Sequence, residues 1–427
     1  MNILLLGSGG REHAFARSIV QSKLCSQLFI VPGNPGTAEC GKNISISSTD
    51  FEAIKKCCLE NKIELVVVGP EDPLVNGIYD FFIVDTELKN IPVIGPSKDA
   101  AQLEGSKAFA KEFMLKHKIP TAAYQSFDIN SLEQGVDFIR TLLTPVVLKA
   151  DGLAAGKGVL ICQTLEEAEE EFQNMLHGKF GTASERVVVE EFLHGIEMSV
   201  FILTDGINYL LLPTAKDYKK VGEGDTGLNT GGMGAISPVP FADYVLMKKI
   251  VERMIQPTID GLQQDKLVYK GFIYFGLMIV NSEPFMIEYN CRMGDPETEA
   301  VFPRIESDLV ELFIAVASEK LNEKKIVISS KHCATIVLTS GGYPELYEKG
   351  KNISGIDSIK NSIVFHAGTA MKNGALQTSG GRVLAITSLG NTLEEALKIS
   401  RYNAEKIQFE EKYFRHDIGF DVLNLKN

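Results

Sequence analysis

Four short apolar runs in the first hundred residues, Ile3 to Leu6, Leu28 to Val31, Leu65 to Val68 and Pro92 to Gly95, each lead straight into glycine or proline and are separated by stretches of helical period. Apolar strands alternating with helices fold as a parallel, doubly wound α/β sheet covered on both faces. Ligands bind such sheets beyond the carboxyl ends of the strands. The four loops G-S-G-G-R-E-H, P-G-N-P-G-T, G-P-E-D-P-L and G-P-S should therefore gather along one edge.

The first loop, Gly7 to His13, invites a nicotinamide dinucleotide reading but lacks two of its parts. Glu12 stands where the third glycine belongs, and the second strand ends in Val31-Pro32-Gly33 instead of an acidic ribose ligand. A glycine turn opening a helix still offers free N–H groups and a positive dipole end to one phosphate. The expectation is a mononucleotide or sugar-phosphate site.

At 427 residues the chain exceeds one ordinary core and calls for about three domains. A formal charge of -12, with no basic cluster interleaved with aromatics, argues against a nucleic-acid partner. No apolar run approaches the ~18 residues of a membrane span, and Met1 to Gly7 reads as a strand, not a leader, so a cytoplasmic location is expected. Seven cysteines without a C-x-x-C pair read as reduced, mostly buried thiols, and seven scattered histidines give no zinc pattern.

Beyond Gln102 comes a helix rich in Lys and Phe, then a small α+β segment from about Thr121 to Leu193, a larger sheet to about Asp308, and a carboxyl-terminal part from about Lys331. The larger sheet holds the most informative stretch, Ile287 to Glu297, I-E-Y-N-C-R-M-G-D-P-E. Strand alternation puts Glu288 and Asn290 on one face and Ile287 and Tyr289 on the other. Asn281 to Pro284 reads as the turn that brings this strand back beside Gly271 to Val280. A carboxylate and an amide oxygen suit Mg²⁺, which takes few protein ligands and completes its shell with water and phosphate oxygens.

Lys149 to Val159, K-A-D-G-L-A-A-G-K-G-V, is a glycine-rich loop between strands, with Lys149 and Lys157 at its ends and Gly156 near its centre. Such a loop lays backbone N–H groups over phosphates, although it is no Walker loop. Glu190, Glu191, Phe192 and Leu193 end a strand in acids and apolar residues, an edge suited to adenine, with Glu197 placed for ribose hydroxyls. The glycine-rich loops at 151–158 and 226–234 are expected to order over bound nucleotide.

Taken in order, G-S-G-G-R-E-H, K-A-D-G-L-A-A-G-K-G, E-E-F-L-x-G-x-E, D-T-G-x-N-T-G-G-M-G-A, I-E-Y-N-C-R-M-G-D-P-E, F-H-A-G-T and S-G-G-R-V-L resemble the phosphoribosylamine–glycine ligases, or glycinamide ribonucleotide synthetases, of the ATP-grasp superfamily. The resemblance runs from Met1 to Val422. It implies a multidomain α/β and α+β fold: a Rossmann-like domain over 1–101, an ATP-grasp domain over 102–330 with a lid at about 121–190, and an α/β domain over 331–427. It implies ATP and Mg²⁺ or Mn²⁺ as cofactors, and glycine and 5-phosphoribosylamine as small-molecule partners. Lys107 and Lys149 would contact ATP phosphates, Glu190 to Leu193 adenine, Glu197 ribose, and Glu288 and Asn290 the metal. Asp217, Arg292 and Asp295 would hold glycine or its neighbour, and Gly9, Gly10, Arg11 and Glu12 the ribose phosphate; Arg292 and Lys149 would be catalytic. Two motifs depart from the family's pattern: R-M-G-D-P-E-T-E, at Met293 and Glu299, and A-K-D-Y-K-K, which has Tyr218 and a Lys where His and Arg are more usual. A monomer is expected, with a dimer as the alternative. Competing readings are another ATP-grasp carboxylate–amine ligase, a Rossmann-type oxidoreductase and a nucleotide sensor without turnover.

Overall fold

The computed structural model describes residues 1–153 and 158–423. Strands Asn2–Gly7, Gln27–Pro32, Leu65–Val68 and Val93–Pro96 form a parallel sheet in which Ile3 lies opposite Leu28 on one side and Leu65 on the other. Ile3 to Leu6 are fully buried, which explains why these strands read as unbroken apolar runs.

The long strand Tyr269–Val280 extends this sheet. Tyr269 and Lys270 pair antiparallel with Pro96 and Gly95. Beyond them the strand runs between Ile196–Thr204 and Glu283–Asn290. Gly271 permits the crossing, because a Cβ there would sit 3.2 Å from the backbone nitrogen of Gly95. One nine-stranded sheet thus joins the glycine loops of the amino-terminal part to the Glu288–Asn290 strand.

A separate four-stranded antiparallel sheet, in the order Tyr124–Asp128, Arg186–Glu191, Val146–Ala150 and Val159–Cys162, forms the small layer above. It buries its own core of Phe127, Ile139, Leu148, Phe172 and Val187. The acidic helix Leu165–Asn174 packs Ala168 and Phe172 against that core and leaves its glutamates outside, as a solvated charged face should. A five-stranded sheet made of Lys216–Asp217, Gly234–Ser237, His332–Thr339, Arg382–Gly390 and Ile363–His366 combines two segments from the middle of the chain with the carboxyl-terminal part. Among the described residues no helix is long and apolar enough to cross a membrane.

Two local expectations need correction. The hairpin turn is only Asn281 and Ser282, both at positive φ, and Glu283 and Pro284 already belong to the strand. The alternation read for Ile287 and Tyr289 is broken by a bulge: Gly276 faces Glu288 but Leu277 faces Met286, so Ile287 has no partner. Met286 and Tyr289, three residues apart, are the ones in the core, because the extra residue re-aims everything before it.

A further feature concerns the second glycine-rich loop. Its hairpin, Lys220–Gly222 with Thr226–Asn229, is pinned at the tip by the end of the chain. Arg415, fully buried, contacts Asp225 Oδ1 at 2.7 Å and donates to the Lys220 carbonyl, while Asp417 accepts from the Gly224 N–H and the Tyr413 hydroxyl donates to the Val221 carbonyl. The first glycine-rich loop, 151–158, was expected to order over nucleotide; its residues 154–157, including Gly156 and Lys157, lie outside the described residues.

Candidate active site

Two recesses meet at Ile287 and Glu288, which line both. The bulge is what allows two consecutive residues to serve both spaces. Their linings carry opposite excess charge.

The larger recess is lysine-rich. Lys107, Lys111 and Lys149 line it against Glu190 and Glu288. Lys149 Nζ lies 2.9 Å from Glu190 Oε1 and 3.3 Å from the carbonyl of Ile287, and Lys111 Nζ lies 3.0 Å from Glu190 Oε2 and 2.7 Å from Thr121 Oγ1. The two lysines hold Glu190 below the ordinary carboxylate range although burial pushes it up, and burial brings Lys111 down to about 8. Three ammonium groups against few acids make this the space for a polyphosphate. Its floor is tied to the loop above: Asp151 Oδ1 accepts from Ser106 Oγ and from the Ala108 N–H, each at 2.8 Å, which caps the helix Lys107–Lys116 and fixes the start of the loop.

The smaller recess is acid-rich. Glu197, Asp217 and Glu288 line it with Lys219, Tyr274 and Gly276. Gly276 makes room for Glu288, whose Cγ would lie 3.1 Å from a Cβ at that position. Burial pushes Asp217 up, and burial together with Asp217 pushes the adjoining Glu297 up to about 8. The recess is short of positive charge. A divalent cation and an ammonium group would supply it.

Glu288 is the acid best prepared for a cation. Burial would raise it, but Lys219, Lys107, Lys149 and Arg292 together hold it below the usual range, and among the described residues no cation lies close enough to pair with it directly. Asn290, two residues on at the end of the same strand, carries an amide oxygen. Among the described residues no cluster of three or more His, Cys, Asp or Glu side chains could hold a metal by itself. One carboxylate and one amide, completed by phosphate and water, is a donor set that fits Mg²⁺.

Arg292 is less free than expected. It is held by two acids from the amino-terminal half: Nη2 lies 2.8 Å from Glu104 Oε1, and Nε lies 3.2 Å from Glu71 Oε2. Glu104 also accepts from the Cys291 N–H at 2.7 Å. A substrate carboxylate would have to share or displace these partners. Glu12 too is committed, for its carboxylate accepts from the Gly9 N–H and from Arg11 Nε, each at 2.6 Å. It packs against Gly7 and Gly69, where any Cβ would collide with it. An anion at this turn is left with the first N–H groups of the helix Gly10–Ile19. Asp295 is paired with Arg382 of the carboxyl-terminal part at 3.0 Å.

At the expected adenine edge, Glu190 lies inside the strand ladder with its side chain on the lysines, and Glu191 exchanges backbone hydrogen bonds with Ala123 through both its N–H and its side chain. Phe192 and Leu193, half-buried just past the ladder, are left for a base. Glu197 is 2.9 Å from Lys219. Sequence reasoning missed Glu71, Glu104, Lys111, Lys219, Tyr274 and Arg382. Only Lys111 had a usable signal, four residues after Lys107 on the same helix face.

A small four-stranded sheet beside a larger sheet whose strand end carries an acid and an amide is the ATP-grasp architecture. The biotin carboxylase domain of Hydrogenobacter thermophilus 2-oxoglutarate carboxylase, solved with MgADP, shares this fold at a TM-score of 0.73 over 100% of this chain and 94% of that one, with 16% identity. Models of the phosphoribosylglycinamide synthetase N domain, ATP-grasp (A) domain and C domain match residues 1–104, 105–298 and 333–421. Phosphoribosylamine–glycine ligases of Pasteurella multocida and Haemophilus influenzae are each 47% identical, over 99% of this chain and 98% and 99% of their own lengths. The crystal structure of phosphoribosylamine–glycine ligase from Thermotoga maritima superimposes with a TM-score of 0.85 at 35% identity, covering 98% of this chain and 100% of that one. The chain belongs to the phosphoribosylglycinamide synthetase family.

Proposed function

We propose that this chain joins glycine to 5-phosphoribosylamine at the expense of ATP, giving glycinamide ribonucleotide, ADP and phosphate. The observation that carries the reading is the charge division at Glu288: a lysine-rich recess on one side and an acid-rich one on the other. Full-length relatives named phosphoribosylamine–glycine ligase support the same reaction.

Lys107, Lys111 and Lys149 receive the triphosphate, and Phe192 and Leu193 border the base. Glycine lies in the acid-rich recess, its ammonium toward Asp217 and its carboxylate toward Arg292 and the strand end. One of its carboxylate oxygens forms a bond to the γ-phosphorus, the bond to the β,γ-bridging oxygen breaks, and that electron pair leaves on ADP. The amine of phosphoribosylamine, its phosphate at the amino end of the helix Gly10–Ile19, then attacks the acyl carbon; the C–N bond forms, phosphate departs with the electrons of the C–O bond, and the proton shed by the nitrogen leaves on that phosphate. Glu288 and Asn290 would hold Mg²⁺ or Mn²⁺, which when bound supplies positive charge to phosphate oxygens. The protein's share is placement and fixed charge, the main levers in phosphoryl transfer. By position, 1–101, 102–330 and 331–427 serve as the amine-binding, nucleotide-binding and closing parts.

A coupled ADP assay with each substrate omitted in turn tests the reading. ADP should form only when glycine and phosphoribosylamine are both present. Equal rates with another acid or amine would point to a different ATP-grasp ligase.

A further inference from the structure

One cation stands on the acid-rich side of Glu288 and has no part in the scheme so far. Lys219 Nζ lies 2.9 Å from Glu197 Oε2, and the side chain lines the recess with Asp217, Tyr274 and Glu288. Its main chain is fixed: the Lys219 carbonyl accepts from the Thr230 N–H at 2.7 Å and from Thr230 Oγ1 at 2.8 Å. Arg415 secures the next carbonyl. The side chain, by contrast, is 35% exposed. An ammonium group has three donors, and among the described residues only Glu197 takes one.

A rigid frame presenting an accessible, partly committed cation is how sites hold groups that meet a substrate. A purely structural partner for Glu197 would not also need to face Asp217 and Glu288. Lys219 thus stands among the three carboxylates of the recess, paired with one of them and lining the space beside the other two. Lys107, Lys111 and Lys149 line the other recess, on the donor side of the transfer. Lys219 is the cation lining the acceptor side.

We propose that Lys219 is a catalytic residue of the ligation, moving from Glu197 onto the glycine carboxylate and the phosphoryl group it receives, so that it steadies the acyl phosphate on the acceptor side. The inference rests on the ligase reading above. Lys219 keeps its proton throughout; as the new P–O bond forms and the bridging bond breaks, it offers charge and N–H donors to the oxygens that carry negative charge.

Lys219→Ala, compared with wild type by quench-flow with all substrates present, should slow ADP formation about 10²- to 10³-fold, while Mg·ATP affinity by equilibrium dialysis stays within about threefold. Methylammonium, added as a free cation, should restore much of the Ala variant's lost rate and leave wild type unchanged. Lys219→Gln, which can still hydrogen-bond Glu197, carries the same expectation should the Ala variant fail to fold. A rate near that of wild type, a fall in Mg·ATP affinity that matches the fall in rate, or a slow variant that methylammonium does not help would each overturn the proposal. The wild-type control separates the two claims. Absence of glycine-dependent ADP from wild type defeats the ligase reading, whereas normal wild-type turnover with unimpaired variants defeats only the role of Lys219.

Discussion

The guanidinium of Arg292 lies 2.8 Å from the carboxylate of Glu104, a residue 188 positions earlier in the chain. Glu104 is buried and also takes the Cys291 N–H, so it sets both the backbone and the side chain of the G-D-P-E approach to the site. Removing one member of a buried pair typically costs about 3 to 5 kcal/mol because the other charge is stranded. Glu71 remains beside Arg292 and offsets part of this, so Glu104→Ala should lose roughly 3 kcal/mol in urea unfolding at unchanged m. Glu104→Gln, which can still accept from Cys291, should lose less. Equal stabilities for the two variants would contradict the pairing.

Lys149 and Lys111 share Glu190, but only Lys149 also reaches the bulged carbonyl of Ile287 at the strand end. Lys149→Met should therefore cut turnover by about 10²- to 10³-fold. Lys111→Met should act chiefly on the KM for ATP. If the two variants showed the same kinetic pattern, Lys149 would have no place at the transferring phosphate.

His13 and His366 make a buried neutral pair: His13 Nδ1 accepts from the His366 N–H at 2.9 Å, and the rings lie 5.7 Å apart. Burial, reinforced for His13 by His366, lowers them to about 3 and about 4. Between pH 6.5 and those values the unfolded chain binds protons that the folded chain refuses. Stability should therefore be full above pH 6.5 and fall as the pH drops, by up to about 1.4 kcal/mol per pH unit for each imidazole. His366→Gln should flatten the dependence measured by thermal unfolding from pH 7 to pH 5. An unchanged slope would count against the pair.

Arg415 should be the anchor of the Lys220–Asn229 hairpin. Arg415→Ala strands Asp417 and frees Asp225, and should open new protease cleavage between residues 220 and 231 that wild type resists. Cleavage there in wild type at the same rate would show that the hairpin is not held by the carboxyl end.

Much of the fold was legible because it is written in local pattern. The four parallel strands announce themselves through unbroken apolar runs, and the E-x-N pair through its position after a hairpin. What escaped was non-local. A bulge at Ile287 leaves no mark in composition, because it arises from how two strands fit side by side. Glu104 and Glu71 become site residues only when the folded sheet brings them to Arg292. Glu12 looked like a ligand from its place in a glycine loop, whereas its length lets it reach back and cap that loop. Glycine content reports freedom in the isolated chain, so it gave no hint that Arg415, almost two hundred residues away, would tie down the Lys220–Asp225 end of the second glycine-rich segment.

A crystal structure with Mg·ADP and glycine bound tests the central claim most directly. The phosphates should lie in the lysine-rich recess against Lys107 and Lys149, with the metal between them and the oxygens of Glu288 and Asn290, and glycine across the divide beside Asp217. Phosphates seated elsewhere, or an acid and amide turned away from them, would contradict the account.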